Sequence, residues 1–371
     1  MTFTAMPVDR WWEGDRVDNF EPSGWATGGG WMTHGNAEYR YANTAILSVT
    51  ALEAPVIVTS DQFDEHLSET FRRLRMRPGM LQRIAGVQER RWWPEGFGFA
   101  DAAATAGAKA LSEAGVDARD VGLLINTSVS RAYLEPSTAV AIHHALDLPP
   151  SALNFDIANA CLGFVNGIQV AANMIDAGQI RYALIVAGES SRAAQQTTIE
   201  RLRRADSTRD DVREQFATLT LGSGAAAMVL AAAGSHHQEH RLIGGVSRAA
   251  TQHHELCVGD NTRMRTDAKG LLDAGVGLAE ATWAHAGSWD WQNMDLYVMH
   301  QVSAAHTRSV VRRLGLDPRR VPETFPLWGN VGPASLPMTL AHHAGSLHSG
   351  DRVLCMGVGS GLNTCALEVV W

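Results

Sequence analysis

The stretch DIANACLGFVNG, residues 156–167, decides how the rest of this chain is interpreted. An apolar, strand-like segment breaks at Asn159-Ala160 and is followed by Cys161 and then by a helical pattern. A thiol at the start of a helix lies near unpaired backbone N–H groups and the positive end of the helix dipole, which favour a thiolate and can hold an oxyanion. Because most free cysteines are inert core residues, this stretch alone leaves two interpretations of Cys161, packing or nucleophile.

Strand-like and helix-like segments alternate on both sides of this stretch. The residues 45–58 are typical of strands, and the segment after them predicts a helix with Ser60 as its cap. The alanine-rich residues 100–115 predict a second helix that ends at a glycine, and apolar residues 182–188 predict a buried strand. This alternation predicts an α/β fold around a buried sheet.

A weak internal repeat relates two parts of the chain at an offset of about 170 residues. VGLLINTSVS at 121–130 is similar to MDLYVMHQVS at 294–303, and YALIVAG at 182–188 is similar to RVLCMGVG at 352–359. A chain of 371 residues is too long for one small core, so we expect a duplicated architecture. The predicted parts are an N-terminal extension at 1–43, a half with the cysteine at 44–234 and a second half at 235–371.

The N-terminal extension differs in character from the rest of the chain. It is rich in Trp and Gly and has no sustained helical or strand period. It is either a mobile segment or one that packs on a surface, its own or a partner subunit's.

Composition excludes several classes of function. A formal charge of −8 and a pI near 6 argue against a nucleic-acid partner, and the basic stretches FRRLRMRPG and QERRWW are short. The longest apolar run has nine residues, too few to span a bilayer, and the N-terminus lacks a secretory pattern. We therefore expect a cytoplasmic protein with four free thiols. Adjacent histidine pairs lack a matching ligand set, so neither a metal nor a cofactor is expected.

Two residues of the second half could complete a site with the cysteine. His300 ends the strand-like segment LYVMH, and Asn330 lies in LWGNVGPASLP, where glycines allow tight backbone geometry. Taken singly, the histidine is more often scaffolding and the asparagine a turn or cap residue. In a duplicated fold the ends of equivalent strands meet near the pseudo-twofold axis, so Cys161, His300 and Asn330 are expected to converge.

At this point four motifs carry a family resemblance. NACLGF, MHQVS, GNVGPAS and the terminal GVGSGLN resemble the condensing enzymes of the thiolase superfamily, in the branch of ketoacyl synthase III, over about residues 50–371. The resemblance implies a five-layered αβαβα fold, a homodimer and a Cys-His-Asn active site. It also implies an oxyanion hole made by the backbone N–H groups of Cys161 and Ser360.

A further stretch narrows the resemblance. GLLINTSVSRAYLEPSTA, residues 122–139, is similar to the acyl-CoA condensing enzymes of long-chain olefin biosynthesis, in which the glutamate of LEPST serves as a base in the partner subunit's active site. The corresponding residue in this chain is Glu135. The alternative interpretation is that Glu135 is an exposed loop carboxylate without a catalytic role. A synthase that joins two ordinary acyl-CoAs must remove an unactivated α-proton and therefore needs such a base.

The resemblance implies a non-decarboxylative Claisen condensation of two fatty acyl-CoAs. Cys161 holds the first acyl chain as a thioester, His300 and Asn330 bind the second thioester carbonyl, and Glu135 removes the α-proton. The product is a 2-alkyl-3-ketoacyl thioester or its acid, on a route to an olefin, a ketone or a β-lactone.

Three alternatives remain open at the level of sequence. A thiolase carries a second cysteine where this chain has Cys355, although thiolases place Asn and His in the reverse order; a buried packing residue is the other interpretation of Cys355. A malonyl-using 3-oxoacyl synthase III shares the triad, and only the stretch around Glu135 argues against it. The chain could also be one subunit of a heterodimeric synthase.

Overall fold

The computed structural model describes residues 35–237, 239–260 and 263–371. The strands in these ranges are β1 (Ala37–Arg40), β2 (Thr44–Glu53), β3 (Val56–Thr59), β4 (Glu89–Trp92), β5 (Leu123–Asn126), β6 (Leu153–Asp156), β7 (Tyr182–Glu189), β8 (Gly224–Ala232), β9 (His240–Ala249), β10 (Cys257–Gly259), β11 (Met264–Thr266), β12 (Leu296–Met299), β13 (Arg352–Gly359) and β14 (Asn363–Val370). The α-helices are α1 (Ser60–His66), α2 (Ser68–Arg73), α3 (Phe99–Ala114), α4 (Thr138–Ala145), α5 (Gly163–Asp176), α6 (Arg192–Arg203), α7 (Arg209–Leu219), α8 (Ala268–Ala284), α9 (Ala304–Leu314), α10 (Phe325–Trp328) and α11 (Ser335–His343).

The described strands build a ten-stranded mixed sheet in the order β12-β13-β14-β9-β2-β8-β7-β5-β6, with β1 paired to β9. In the first half β5 and β7 are parallel, whereas β7, β8 and β2 are successively antiparallel. In the second half β12 and β13 are parallel, and β13, β14 and β9 are successively antiparallel. Just two residue pairs join β2 to β9, so two half-sheets of matching order meet there. The repeat seen in the sequence is thus a repeat of topology.

Side chains alternate between the two faces of each half-sheet and so build three large apolar clusters. One face of both halves packs on α5 and α11, which lie between the half-sheets in the central cluster. The other face of the first half is covered by α3 and α4, and the other face of the second half by α8 and α9. The order of layers is therefore helix, sheet, helix, sheet, helix, as expected.

Local predictions are confirmed with small changes at the ends of elements. The helix α3 ends at Gly115, whose φ of 63° is the left-handed conformation that closes a helix. The cap of α1 is Thr59 rather than Ser60, because its hydroxyl accepts from Gln62 in a capping box. The helix after Cys161 begins at Gly163, two residues later than predicted.

The predicted N-terminal extension falls into two parts. Residues 1–34 lie outside the described residues, whereas Ala37–Arg40 form β1 and pair antiparallel with β9. The structure also shows, within the described ranges, no helix long and apolar enough to cross a membrane.

Candidate active site

Cys161 lies in a tight turn between β6 and α5. The Leu162 N–H donates to the Asn159 carbonyl at 3.0 Å, and the Gly163 N–H donates to the Ala160 carbonyl at 3.2 Å. Ala160 has a φ of 45°, which non-glycine residues rarely adopt and which is found at functional sites. Cys161 is neither paired in a disulfide nor fully buried. The turn therefore presents the thiol at the carboxyl end of the sheet instead of packing it in the core.

The protonation of this thiol differs from the sequence-based expectation. Burial, with a further contribution from the negative charge of Glu189, raises the pKa of Cys161 to about 12. The residue's own backbone N–H opposes this shift but does not outweigh it. The expectation that the helix start favours a thiolate is therefore wrong, and Cys161 is a neutral thiol at physiological pH.

The end of β13 packs directly on the Cys161 turn. A Cβ at Gly359 would lie 2.9 Å from the Asn159 carbonyl oxygen, and one at Gly357 would lie 2.5 Å from Leu162 Cδ1. Only glycine allows the backbones of the two halves to approach so closely at the first of these positions. Ser360, the proposed second oxyanion donor, follows at once and is half-buried.

His300 lies at the end of the neighbouring strand β12. Its backbone N–H donates to the Met356 carbonyl of β13 at 2.9 Å, which sets it beside the strand that contacts the cysteine turn. The side chain is 3% exposed, and neither ring nitrogen forms a hydrogen bond with any described residue. Burial, and secondarily the nearby His306, lowers the pKa of His300 to about 3, so the imidazole is neutral at physiological pH.

Asn330 follows α10 and is fixed by its backbone. Its N–H donates to the Thr220 carbonyl at 2.9 Å, and its carbonyl accepts from the Gly222 N–H at 2.8 Å. The side-chain Oδ1 accepts from the Gly332 N–H at 2.9 Å, while Nδ2 has no partner in the described part of the chain. The amide thus keeps a donor available for a ligand.

Glu189 is a residue of this site that the sequence analysis missed. It ends β7, is 7% exposed, and its side chain lies 3.5 Å from the position of a Cβ on Gly332, the residue whose N–H donates to the Asn330 side chain. Burial raises the pKa of its carboxyl to about 7. The available signal was a charged residue directly after seven apolar positions of a buried strand.

The Cys161 turn and the backbone of His300 thus both contact β13, which Ser360 follows, while Asn330 bonds to Gly332, against which Glu189 lies. Glu135 is different, because it lies on the exposed loop between β5 and α4 and forms no hydrogen bond or ion pair with any described residue. Its neighbours Tyr133 and Leu134 are 72% and 96% exposed. Cys355 is 2% exposed and packs in the central cluster.

Comparisons with known proteins agree with this architecture. The model of 3-oxoacyl-[acyl-carrier-protein] synthase III matches residues 155–248, and the model of its C-terminal part matches residues 284–371. An acyl-CoA:acyl-CoA alkyltransferase of Xanthomonas campestris is 42% identical over 336 residues, which cover 89% of this chain and 99% of that protein. One of Shewanella oneidensis is 38% identical over 349 residues, 90% of this chain and all of that protein. Cerulenin-bound OleA of Xanthomonas campestris superposes with a TM-score of 0.88 at 42% identity, covering 90% of this chain and 98% of that chain.

The fold and the matching models define an acyltransferase-type condensing enzyme with the duplicated five-layered αβαβα thiolase fold. Within that class, the chain belongs to the acyl-CoA:acyl-CoA alkyltransferase (OleA) family. The fold and the similarity to these alkyltransferases both confirm the resemblance that the four motifs and the stretch around Glu135 indicated.

Proposed function

We propose that this chain joins two fatty acyl-CoAs by non-decarboxylative Claisen condensation, with Cys161, His300, Asn330 and Glu135 as catalytic residues. The observation that carries the proposal is the near full-length similarity to acyl-CoA:acyl-CoA alkyltransferases. It is supported by β13, which contacts both the Cys161 turn and the backbone of His300. A related OleA with its cysteine changed to serine has been solved with lauric acid and lauroyl-CoA, which supports CoA thioesters as substrates. No cofactor or metal is needed for this chemistry.

The neutral state of the site suits neutral thioesters. As Cys161 attacks the first thioester carbonyl, the new acyl–sulfur bond forms, the bond from the carbonyl carbon to the CoA sulfur breaks, and the S–H proton passes to the departing sulfur, so that CoA leaves as its thiol. The backbone N–H groups of Cys161 and Ser360 stabilise the oxyanion of this step. The unpaired Asn330 Nδ2 and the His300 ring then hydrogen-bond the second thioester carbonyl, which becomes enolate-like as its α-proton is removed. The carbanion attacks the acyl-cysteine and frees the thiolate.

The proton acceptor is Glu135 of a second copy of the chain. Substituted glutamate and cysteine positions in the Xanthomonas campestris OleA structures are 26 residues apart, and so are Glu135 and Cys161. A homodimer explains why a protruding loop carries Leu134 almost fully exposed. It also explains the position of β6 at the end of the sheet, with Leu153 half-exposed on it.

The domain boundaries follow from the same architecture. We infer that 44–234 and 235–371 are the two duplicated halves, because β8 ends at Ala232 and β9 begins the second half at His240. The route that uses the product, to an olefin or a β-lactone, and a cytoplasmic location are part of this proposal.

The test is incubation of the purified protein with myristoyl-CoA alone, with CoA release and mass spectrometry of the products. We expect continuous CoA release and a two-chain 3-keto product; the Glu135→Ala variant should form the acyl-cysteine without condensing. Release of one CoA per subunit, with turnover on adding a malonyl thioester, would instead identify a malonyl-using synthase III. Absence of acylation would point to a subunit that needs a different partner.

A further inference from the structure

The mechanism above leaves the buried carboxylate of Glu189 without a role. Both of its oxygens are directed at one segment: Oε1 accepts from the Val129 N–H at 2.6 Å, and Oε2 accepts from the Ser130 N–H at 3.1 Å and from the Ser130 hydroxyl at 2.7 Å. The Ser130 hydroxyl oxygen also accepts from the Ser190 N–H at 3.1 Å. Val129 and Ser130 begin the exposed loop that carries Glu135, so Glu189 holds the first end of that loop.

A second carboxylate holds the other end of the same loop. Asp156, at the end of β6, accepts from the N–H groups of Thr138 and Ala139, each at 2.9 Å, where α4 begins. It also forms an ion pair with Arg131 and accepts from Asn126 Nδ2 at 2.9 Å. The loop is therefore fixed by carboxylates at the ends of β7 and β6, the two strands that flank β5 in the sheet.

The middle of the loop has no comparable support. Tyr133 and Leu134 are exposed, and the Glu135 side chain bonds to no residue that the structure describes. The direction in which the Glu135 side chain projects from the subunit surface is thus set by the hydrogen bonds at the two ends of the loop. At the first end, the carboxylate that sets it is also in contact with the catalytic junction, because Glu189 lies against Gly332 and raises the pKa of Cys161.

We propose that Glu189 is a positioning residue that fixes the Glu135 loop of its own subunit and so aligns the base in the partner's active site. The inference rests on the proposed action of Glu135 across the dimer. Three donors converge on Glu189, and a carboxylate can accept from all of them. A glutamine would turn an NH₂ group toward one of the N–H donors and lose that hydrogen bond.

Mixed dimers test this proposal, because they separate the subunit that donates Glu135 from the one that uses Cys161. Subunits with Cys161→Ala and subunits with Glu135→Ala are co-expressed with different affinity tags, and the mixed dimer is purified by both tags. One complete site remains, made of the Glu135→Ala subunit's Cys161 and the Cys161→Ala subunit's Glu135. Glu189→Gln is then added to either subunit in turn, and condensation of myristoyl-CoA is measured alongside acylation of Cys161.

We expect Glu189→Gln to slow condensation by up to about 10²-fold when it is in the loop-donating subunit, since small misplacement of a catalytic group has effects of that size. In the other subunit the loss should be much smaller, and acylation should proceed in both dimers. Ser130→Ala removes one of the three donors to Glu189, together with the acceptor of the Ser190 N–H, and should give the same asymmetry with a smaller loss. This variant also serves if Glu189→Gln folds poorly, which thermal unfolding would show.

Other outcomes overturn the proposal in distinguishable ways. A greater loss with Glu189→Gln in the subunit that supplies Cys161 would assign Glu189 to its own active site. Equal losses from both positions would make it a general structural residue. If the parent mixed dimer itself is inactive while each homodimer folds, the action of Glu135 across the interface fails, and the role of Glu189 fails with it.

Discussion

At the scale of single residues, burial rather than local sequence sets the charge of the catalytic groups. The helix start at Cys161 suggested a thiolate, yet the partial removal of this thiol from water raises its pKa to about 12. The His300 imidazole, with a pKa of about 3, is likewise neutral. The stabilisation of a charge by a helix end is typically about 0.3–1 kcal/mol and at best roughly twice that. The free-energy cost of removing a charged group from water is greater. Both groups therefore meet the substrate uncharged.

His306 gives a prediction on stability against pH. Burial lowers its pKa to about 4, so the folded state keeps it neutral while the unfolded state takes up a proton below its ordinary pKa of about 6.5. Stability is therefore complete above pH 6.5 and falls as the pH drops toward 4, by about 1.4 kcal/mol per pH unit. In urea unfolding between pH 5 and 7, His306→Asn should lower the slope of the unfolding free energy against pH by the equivalent of one proton. Adding His300→Asn should flatten it further; an unchanged slope would contradict the prediction.

Glu135 gives a prediction on the chemical step. Glu135→Gln removes the proposed proton acceptor but alters little else, because the side chain forms no hydrogen bond or ion pair with any residue in the described part of the chain. We expect condensation to fall by about 10²–10⁴-fold while single-turnover CoA release from Cys161 stays near normal. Exchange of the substrate α-proton with deuterated water, followed by mass spectrometry, should disappear in the variant. Retained exchange would assign proton removal to another group.

At the scale of secondary-structure elements, β13 connects the two halves of the site. Its residues pair with β12, which ends directly before His300, and its last residue contacts the Cys161 turn. The close approach at Gly359 depends on the absence of a side chain, since the contacted atom is a backbone carbonyl oxygen that cannot move alone. The geometry of the junction is thus carried by this strand end.

Gly359→Ala should therefore separate the strand end from the cysteine turn. The added methyl group would lie 2.9 Å from the Asn159 carbonyl oxygen, and we expect a loss of about 1–3 kcal/mol in stability together with slower acylation. Gly277→Ala in α8 is the matched control, because nothing lies within 4 Å of its Cβ position. It should stabilise the protein by about 0.5–1 kcal/mol, as helix propensity predicts. Denaturant unfolding and CoA release measure both effects.

At the scale of the whole molecule, the proposed mechanism requires a second subunit to complete the active site. The sheet ends at β6, and the loop with Leu134 protrudes from the same part of the fold. Two copies related by a twofold axis could exchange these loops reciprocally, since the same surface then serves both subunits.

Leu134→Asp tests this assembly. The change places a charge at the most exposed large apolar side chain of the described residues and should weaken the dimer. Sedimentation should show more monomer, and condensation per subunit should become dependent on protein concentration. Ile57→Asp is the control, because Ile57 is 52% exposed but lies on the separate β3–β4 sheet. A dimer that is insensitive to Leu134→Asp would place the interface elsewhere.

Much of the fold was predictable because its signals are local or repeated. Apolar runs such as 182–188 are long enough to indicate buried strands, and the repeat of two strand motifs at one offset indicated duplicated topology. Glu189 was not predicted, since its importance lies in bonds to Val129 and Ser130, about 60 positions earlier in the chain. Such contacts leave no periodic trace in the sequence.

The sequence by itself determined the family, the layered α/β architecture and the candidate residues Cys161, His300, Asn330 and Glu135. Motifs and apolar periodicity are local features, so they can be recognised in the sequence alone. The tertiary structure alone decided that the Cys161 turn packs on β13, how Glu189 and Asp156 hold the loop of Glu135, and which groups are charged. The physical reason is that burial and long-range hydrogen bonds depend on neighbours distant in the chain, and these set both pKa values and the direction of side chains.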